Sequence, residues 1–546
     1  MSPSKPLRVR RSILVMQKEY EQGKKENKPG LMKPLEDLIR AWRGIQARKP
    51  EDTTSFFNLA GFHGEPFSGA GYGDGSYWGG YCNHGNILFP TWHRFYVLKV
   101  ENALRSVEGC ENVTLPYWDE TDEYSLANGI PSILTDKTFE LDGEIIDNPL
   151  YSFTLPGMLN DSVQADNGLY NKPAGYTTVR YPLSGLVGTA DAIKKTAEHN
   201  ARYPYPECVH ELNSNIISWL KQETIYIPPG DGGKPSAVVP ADIHQKFINC
   251  LKAPNYTVFS NTTSAGKYNN TTGNTETVVS LESPHNSIHL AVGGCDIPVY
   301  DRSPIPGANG DMGENNTASF DPIFFLHHCN IDRVFWLWQK QHNATDKLEI
   351  IDKYPGTNSS DSQGATPGTP PNSWLTTESP LDPFKHPNGK PCTSLDCINI
   401  ETQLDYTYEK GSLEDIAPEM LTLSQGATKR KLAITNINRA GIRGSFVISA
   451  FVKVDDKKYY LGSEAILSRW NVTGCRNCQT HLEAKAFFDL EPIHEETLNK
   501  AMLRTHNMEF SVEVHGKEDG DNINRAFFES FSSENVADRP YHLEII

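Results

Sequence analysis

The chain has 546 residues, enough for one large domain and a smaller one. Its 68 Asp and Glu residues outnumber 51 Lys and Arg residues, and a net charge of −17 gives the surface no attraction to nucleic acid or to an anionic membrane. With 38% hydrophobic and 10% aromatic residues, the composition is that of a folded protein and excludes a disordered chain.

The first residues do not have the pattern of an export signal. The apolar run Ile13–Met16 is too short for the hydrophobic part of a signal peptide and is followed by charged residues. No later stretch reaches the ~20 consecutive apolar residues that a membrane span needs. We therefore expect a cytoplasmic protein without a membrane partner, and a homo-oligomer is among the assemblies that the sequence allows.

Helical patterns dominate the first part of the chain. Apolar residues recur at helical spacing in Leu31–Ile45 and in Trp92–Val107, which predicts a helix in each segment. The Gly-rich segment Gly61–Gly85 and the segment Asp142–Tyr181, which is rich in Pro, Asn and Gly, are predicted to be loops. The sequence thus predicts a mainly α domain with long connections.

The pattern changes near residue 431. Alternating apolar residues in Lys431–Ile437 and Gly444–Val454 predict strands of a second, β-sandwich-like domain. The preceding segment Glu409–Lys431 is acidic, lacks an apolar pattern and ends in three basic residues, which is typical of an exposed, protease-sensitive linker. The predicted division is a helical domain (1–410), a linker (411–430) and a C-terminal β-rich domain (431–546).

Seven of the 17 histidines form two clusters along the sequence. His285 and His289 are four residues apart on a helix that Ser283 and Pro284 can start, so their side chains share one face. Asp321 and Pro322 can start a helix that carries His328. Two sites with three imidazoles each, facing one another across a four-helix bundle, would hold two metals ~3.5–4 Å apart. The two clusters are His63, His84 and His93, and His285, His289, His327 and His328.

A single histidine among aromatic residues is most often a buried packing residue, but the joint pattern favours metal binding. No Asp or Glu stands at the ligand positions, which disfavours magnesium and calcium. Zinc and copper remain. Paired hydrolytic zinc sites usually recruit carboxylates, whereas all-imidazole sites suit the Cu(I)/Cu(II) cycle, so the chemistry favours copper.

Two sequence runs resemble signature motifs of a known family. The runs His84-x4-Phe89-Pro-Thr-Trp-His93-Arg94-x2-Val97-x3-Glu101 and Asp321-Pro-x-Phe324-Phe-x2-His328-x3-Asp332 are similar to the two motifs of the tyrosinase family. This family of type-3 copper oxidases includes tyrosinases, catechol oxidases and molluscan haemocyanins. The chain length and the run Tyr406-Thr407-Tyr408 resemble the long fungal tyrosinases, in which a C-terminal domain shields the active site.

The resemblance implies two copper ions, dioxygen as co-substrate, and small phenols and catechols as substrates. By the same alignment His327 is a neighbour of the ligands and packs beside them. Cys82 resembles the cysteine that forms a thioether bond to the ring of His84, and the alternative is a free buried thiol. The implied ligands are His63, His84 and His93 for the first copper, and His285, His289 and His328 for the second.

Glu282 and Asn286 resemble a pair that holds a water for the deprotonation of a monophenol. A phenol with a pKa of ~10 must lose its proton to bind copper, so a positioned carboxylate can act as general base. This favours a tyrosinase with monophenol hydroxylase activity. Alternatively, Glu282 is a first-turn residue favoured by the helix dipole and Asn286 a solvated one. A catechol oxidase, an oxygen carrier and a zinc hydrolase remain the competing functions.

The C-terminal domain carries two further features. Cys475 and Cys478 form a CxxC pair that could pass Cu(I) to the active site, although two reduced turn cysteines fit the pattern equally well. Phe487, followed by Phe488, lies near the position where relatives insert an aromatic ring into the copper pocket. The resemblance therefore implies an enzyme that is latent until this domain, here called the shield domain, is displaced.

Overall fold

A computed structural model describes most of the helical domain and parts of the shield domain. Cys475 and Cys478 lie outside the described residues. These are 7–63, 80–160, 168, 171–221, 242–271, 277–294, 310–362, 366, 368–416, 430–442, 444–454, 457–468, 481–490, 508–515, 527–530 and 541–546.

Helices dominate up to residue 416, which confirms the mainly α class. Helix α2 includes the predicted segment Leu31–Ile45, and the buried positions of α2 follow the helical spacing. The α-helices of the described residues are α1 (Ile13–Glu26), α2 (Pro29–Gln46), α3 (Phe56–Ala60), α4 (Phe89–Arg105), α5 (Glu123–Asn128), α6 (Ala190–Asn200), α7 (Glu207–Leu220), α8 (Ile243–Leu251), α9 (Tyr256–Ser260), α10 (Thr262–Asn269), α11 (Glu282–Gly293), α12 (Ile323–Gln341) and α13 (Ile400–Gln403).

Three of these helices form the centre of the domain. Helix α12 packs against α4 and α11, and every residue of α11 is buried. The Asp321 carboxylate accepts a hydrogen bond from the Ile323 N–H at the start of α12, as a capping residue should. The arrangement of four helices as one bundle stays a prediction.

Short strands decorate the helical domain. The strands are β1 (Arg8–Arg10), β2 (Thr138–Leu141), β3 (Glu144–Asp147), β4 (Pro380–Lys385), β5 (Pro391–Thr393) and β6 (Tyr406–Tyr408). β1 and β6 pair in parallel, so the strand that contains the Tyr-x-Tyr run lies beside the first described residues. β2 with β3 and β4 with β5 form two-stranded antiparallel ribbons.

The described residues of the shield domain form two sheets, in agreement with the predicted sandwich. Their orders are β10-β7-β13 and β12-β11-β8-β9, and apolar side chains from both sheets form a common core. The strands are β7 (Lys431–Asn438), β8 (Phe446–Val454), β9 (Lys457–Ile466), β10 (Glu483–Asp489), β11 (Met508–His515), β12 (Phe527–Ser530) and β13 (His542–Ile545).

Strand β8 is buried on both faces. Ile448 and Ala450 point into the core of the sandwich, whereas Val447 and Phe451 join the core of the helical domain. This alternation follows from the two-residue period of a strand. The outward-facing side chains thereby pack the shield domain against the helical domain. The first residues of the predicted linker, 411–416, also contact the helical domain, for example through the ion pair of Glu414 with Arg333.

None of the helices in the described part of the chain is both long and apolar enough to cross a membrane.

Candidate metal centre

The histidines predicted as ligands come from separate elements and meet in the core. His63 follows α3, His84 lies in the loop before α4, and His93 lies on α4. His285 and His289 are carried by α11 and His328 by α12. All six side chains are buried, with relative exposures between 0% and 5%.

Within each predicted triad the rings are close neighbours. The ring centroid of His63 is 5.3 Å from that of His84 and 5.7 Å from that of His93. The centroids of His84 and His93 are 5.3 Å apart. In the second triad the corresponding distances are 4.5 Å for His285–His289, 4.8 Å for His285–His328 and 5.5 Å for His289–His328.

The two triads also face each other. The rings of His93 and His328 stack with centroids 4.6 Å apart, and those of His84 and His285 are 5.6 Å apart. The six predicted ligands therefore form one compact cluster with contributions from α4, α11 and α12.

Hydrogen bonds fix the tautomer of four of these imidazoles. A carbonyl oxygen can only accept, so the Nδ1–H groups of His63, His93 and His289 donate to the carbonyls of Asn315 (3.2 Å), Phe89 (2.8 Å) and Met312 (2.9 Å). The Nδ1–H of His285 donates to the Oδ1 of Asn286 at 2.9 Å. In each ring the lone pair then resides on Nε2, which is the arrangement that a metal ligand requires.

A close contact between two backbone segments positions the Met312 carbonyl, which accepts the hydrogen bond from His289. A Cβ atom added to Gly293 at the end of α11 would lie 1.6 Å from the backbone nitrogen of Gly313. Only glycine allows this contact, which brings the 3₁₀ turn Asp311–Gly313 and its Met312 carbonyl against α11.

Burial keeps five of these six imidazoles uncharged. It lowers the pKa of His93 and His289 to about 3, and together with repulsion from neighbouring imidazoles it lowers the pKa of His63, His285 and His328 well below the ordinary value. These side chains are neutral at physiological pH, and neutral imidazole is the form that binds metals.

The buried ring nitrogens fit a metal. Among the described residues, the Nε2 atoms of His63, His93 and His285 have no hydrogen-bond partner, and such buried groups are costly unless something binds them. Candidate ligand atoms lie within 4.8 Å of one another in the groups His63–His93–His328 and His285–His289–His327–His328. No carboxylate belongs to these groups, which suits copper.

His327 lies among the ligands, and its partner was not foreseen. Its Nδ1 contacts the Oε1 of Glu120 at 2.5 Å, and the residue also belongs to the second histidine group. Glu120 is fully buried, accepts a further hydrogen bond from Asn330, and has its pKa raised by burial. No motif marks Glu120, so the sequence carries no signal that could have identified it.

Cys82 lies beside the first triad. Its thiol donates to the carbonyl of His63 at 3.2 Å, and its sulfur and the ring nitrogens of His63 and His84 lie within 4.8 Å of one another. The proximity that a thioether bond requires is therefore present, and the bond itself stays a prediction.

Glu282 of α11 contacts the loop that carries His84 and so links the two histidine triads. It is fully buried and accepts hydrogen bonds from the N–H of Gly85 (2.8 Å) and from the N–H and hydroxyl of Thr262 (2.9 and 3.0 Å). Burial raises its pKa, although these hydrogen bonds act against the shift. Gly85 has φ = +77°, and a Cβ there would lie 2.7 Å from the Asp361 carbonyl, so glycine is needed beside His84.

A cavity of about 300 Å³ lies between α10, α11 and the shield domain, and Asn286 lines it. Phe487 also lines this cavity and lies against Gly266 of α10, whereas Phe488 is part of the sandwich core. The two consecutive phenylalanines thus point to opposite faces of β10, as the period of a strand requires.

Comparisons with known proteins agree with this site. A family model for the common central domain of tyrosinase matches residues 53–341. The chain is 53% identical to tyrosinase HcTyr2 of a Hahella species over 92% of both chains. It is 46% identical to a tyrosinase of Aspergillus oryzae, over 88% of this chain and 90% of that one. The structure of a tyrosinase from Burkholderia thailandensis at low pH is 50% identical, covers 96% of this chain and 100% of that one, and has a TM-score of 0.81.

The family match spans more than half of the chain and contains all six predicted copper ligands. Tyrosinases are copper enzymes, and the neutral, buried imidazole nitrogens suit such a metal. The chain belongs to the tyrosinase family.

Proposed function

We propose that this chain binds two copper ions and uses dioxygen to hydroxylate monophenols and to oxidise the resulting catechols to o-quinones. The observation that carries the proposal is the pair of facing three-imidazole groups with unpartnered Nε2 atoms at His63, His93 and His285. Bound copper would supply the redox chemistry. The protein supplies ligand geometry, a dry aromatic surrounding and a base.

The hydrogen bonds of four of the six rings support the proposed ligand roles. His63, His84 and His93 would hold one copper, and His285, His289 and His328 the other. Carbonyl acceptors at Nδ1 orient the rings of His63, His93 and His289 and would leave their Nε2 atoms to bind the metal. Cys82, joined to the His84 ring, would restrain this ligand further. Peptide mapping that finds the two residues in one cross-linked fragment, lighter by two hydrogens, tests the bond.

Glu282 and Asn286 would prepare the substrate. Deprotonation of a phenol needs a base near its oxygen, and Glu282 is the carboxylate three residues before the ligand His285. Asn286 lines the cavity and, through its Oδ1, also orients His285. The amide –NH₂ of Asn286 is available to orient a water or the phenol while Oδ1 holds the ligand.

The shield domain would keep the enzyme latent. Its Glu464 accepts hydrogen bonds from Lys246 of α8 at 2.9 Å and from Ser283 of α11 at 2.6 Å, one helical turn from Asn286. Phe487 lines the same cavity and is our candidate for the ring that excludes substrate. Cleavage in the linker 411–430 would release the shield domain, and the Cys475–Cys478 pair would deliver copper.

Metal analysis combined with oxygen uptake tests the function. We expect two coppers per chain and oxygen consumption with both a monophenol and its catechol after release of the shield domain. Oxygen uptake with catechol alone would identify a catechol oxidase. Bound zinc without oxygen consumption would contradict the proposal.

A further inference from the structure

One short segment of the chain, residues 311–315, orients a predicted ligand of each metal. The Met312 carbonyl accepts the Nδ1–H of His289 at 2.9 Å, and the Asn315 carbonyl accepts the Nδ1–H of His63 at 3.2 Å. His289 belongs to the second triad and His63 to the first. The position of this segment, called here the carbonyl segment, therefore affects both metal positions.

The side chain of Asp311 holds the beginning of the carbonyl segment. It is buried, and its Oδ2 accepts hydrogen bonds from the Tyr176 hydroxyl (2.7 Å) and from the Val179 N–H (2.8 Å). Its Oδ1 lies 3.8 Å from the Nζ of Lys172, which is also buried. The Asp311 N–H donates in turn to the Val179 carbonyl at 2.8 Å. Both the side chain and the backbone thus tie Asp311 to the neighbouring loop, residues 172–181.

The same loop contacts the two helices that carry the second triad. Arg180 donates two hydrogen bonds of 2.7 Å to the carboxylate of Asp321, which caps α12. The Tyr181 N–H donates to the Val292 carbonyl near the end of α11 at 2.9 Å. The loop is therefore a common support for α11, α12 and the carbonyl segment.

The energetics of the buried pair point to a role in geometry. Burial raises the pKa of Asp311 and lowers that of Lys172, so both charges are held in a costly environment. The attraction between two buried charges often does no more than offset the cost of removing them from water, and apolar residues can stabilise as well. The hydrogen bonds of a carboxylate are directional, however, so they specify where the attached backbone lies.

We propose that Asp311 is a positioning residue for both copper ions, acting through the carbonyl segment. Its carboxylate fixes the first residue of the segment, and the two carbonyls then hold the rings of His289 and His63. Each ring would offer its Nε2 to a metal in a fixed orientation. The inference rests on the proposed function, since it requires two coppers, and it names a residue that couples the two positions.

The test is a copper titration of the full chain. The unmodified chain and its variants are stripped of metal and equilibrated with chelator-buffered copper, and the copper bound per chain is measured. We expect Asp311→Ala to weaken both positions together by ~10-fold or more, the usual cost of removing a group that orients a metal ligand. A ligand variant such as His289→Ala should instead lose one position. Asp311→Asn should fall between, because it keeps an acceptor for the Val179 N–H but loses the charge that faces Lys172.

The chain offers a closely matched control in Asp119. This carboxylate is also buried, accepts a hydrogen bond from the Ser412 N–H at 2.7 Å and lies 3.8 Å from a guanidinium nitrogen of Arg333. It lies outside the carbonyl segment and the loop that supports it. Asp119→Ala should therefore lower the free energy of unfolding, as Asp311→Ala does, while both coppers bind with unchanged affinity. Urea unfolding of the metal-free chains measures the loss of stability.

Tyr176→Phe is a milder variant that tests the same contact. It removes one hydrogen bond to Asp311 and should weaken both positions equally, by about 2- to 10-fold. Unchanged copper affinity in Tyr176→Phe, or weakening of one position alone, would overturn the proposal even if Asp311→Ala does not fold. Equal losses of copper affinity in Asp119→Ala and Asp311→Ala would also overturn it. An unmodified chain that binds fewer than two coppers would instead contradict the proposed function.

Discussion

In four of the predicted ligands, the nitrogen left for the metal depends on the hydrogen bond of the other nitrogen of the same ring. His289 illustrates this dependence, because its Nδ1–H is held by the Met312 carbonyl, whose position depends on the contact between Gly293 and Gly313. A change at any of these residues would rotate or release the imidazole. The predicted ligands therefore depend on backbone groups that no sequence motif contains.

We predict that His289→Ala removes the second copper. One imidazole of three is lost, so copper content should fall from two to about one per chain and oxidase activity should be abolished. Metal analysis and oxygen uptake measure both effects. His386→Ala is the control, since this partly exposed histidine pairs with Asp396 outside the cluster. Near-native turnover with full copper in His289→Ala would refute the ligand assignment.

We predict that Glu282→Gln separates the two activities. The rate with a monophenol should fall by ~10²-fold, whereas oxidation of the more acidic catechol should change little. The structure adds a second effect, because one amide hydrogen of the new side chain must face the N–H of Gly85 or Thr262. This unsatisfied donor should lower the free energy of unfolding by about 1–3 kcal/mol.

Steady-state rates on both substrates and urea unfolding measure these effects. Glu378→Gln, at an exposed position, is the control and should change neither quantity. If the rates with the monophenol and with the catechol fell by the same factor, Glu282 would have a structural role and not that of a base.

At the residue scale, motifs predicted the histidines because metal ligands need particular side chains at particular spacings. They could not predict Glu120, which is 207 residues from its partner His327. The same holds for Glu464, whose contacts with Lys246 and Ser283 depend on how the two domains dock.

Among the elements, the motif helices are locked together by one buried carboxylate. Asp332 of α12 receives hydrogen bonds from Arg94 of α4, from Arg10 of β1 and from the hydroxyl groups of Tyr406 and Tyr408 of β6. Arg94 and Asp332 belong to the two signature motifs, but their role is to hold the helices together and not to bind the metal.

We predict that Asp332→Asn is strongly destabilising. It leaves the buried guanidinium of Arg94 without its counter-charge and takes one of two carboxylates from Arg10, which keeps Glu101. This should lower the free energy of unfolding by about 3–5 kcal/mol at pH 7. Urea unfolding of both proteins measures the difference. Asp352→Asn, at an exposed position, should have little effect. A difference below about 1 kcal/mol would contradict the role of this network.

This destabilisation should depend on pH. Burial alone would raise the pKa of Asp332, but the charges of Arg94 and Arg10 and the two tyrosine hydroxyls outweigh it and lower the pKa below the ordinary value. The stabilisation is then complete above the unfolded pKa of ~3.9 and is lost as the pH falls through the folded-state pKa. The gap between the two proteins should therefore be widest near neutrality and should narrow below about pH 4.

Long periodic elements were predictable and short ones were not. Helix α4 begins at Phe89, three residues before the predicted start, because Pro90 fits the first helical turn. The pairing of β1 with β6 joins three-residue strands that are 398 residues apart, and such short segments carry no period of their own.

For the molecule as a whole, the decisive contact is the one between the domains. Strands β8 and β9 contribute Val447, Phe451 and Ala465 to the core of the helical domain, and Leu467, just after β9, also joins it. The ion pair of Lys246 with Glu464 lies at the same interface and is mostly buried. A domain held by both apolar and charged contacts should cover the site in most molecules.

We predict that cleavage between residues 417 and 429 activates the enzyme. Substrate binds only to the open fraction of molecules, so release of the shield domain should raise the rate with a neutral phenol by ~10-fold or more at constant copper content. Limited proteolysis followed by oxygen uptake and metal analysis measures this. Full activity of the uncut chain, unchanged by trimming, would contradict latency.

A substitution at the interface gives the same test without a protease. Lys246→Met removes the ion pair and should raise the activity of the uncut chain roughly 5-fold, the effect of about 1 kcal/mol on the docking equilibrium. Lys267→Met is the matched control, because Lys267 lines the cavity but is exposed.

The parallel pairing of β1 with β6 also limits how the enzyme can mature. The Glu409 N–H donates to the Arg10 carbonyl. Further along, the Ser412 N–H donates to the Asp119 carboxylate, and Glu414 forms an ion pair with Arg333. A processing enzyme that cut before residue 408 would remove the tyrosine donors and leave a buried carboxylate exposed to water. If the enzyme is activated by proteolysis, the cut must therefore lie downstream of these contacts, and we expect an active fragment to include them.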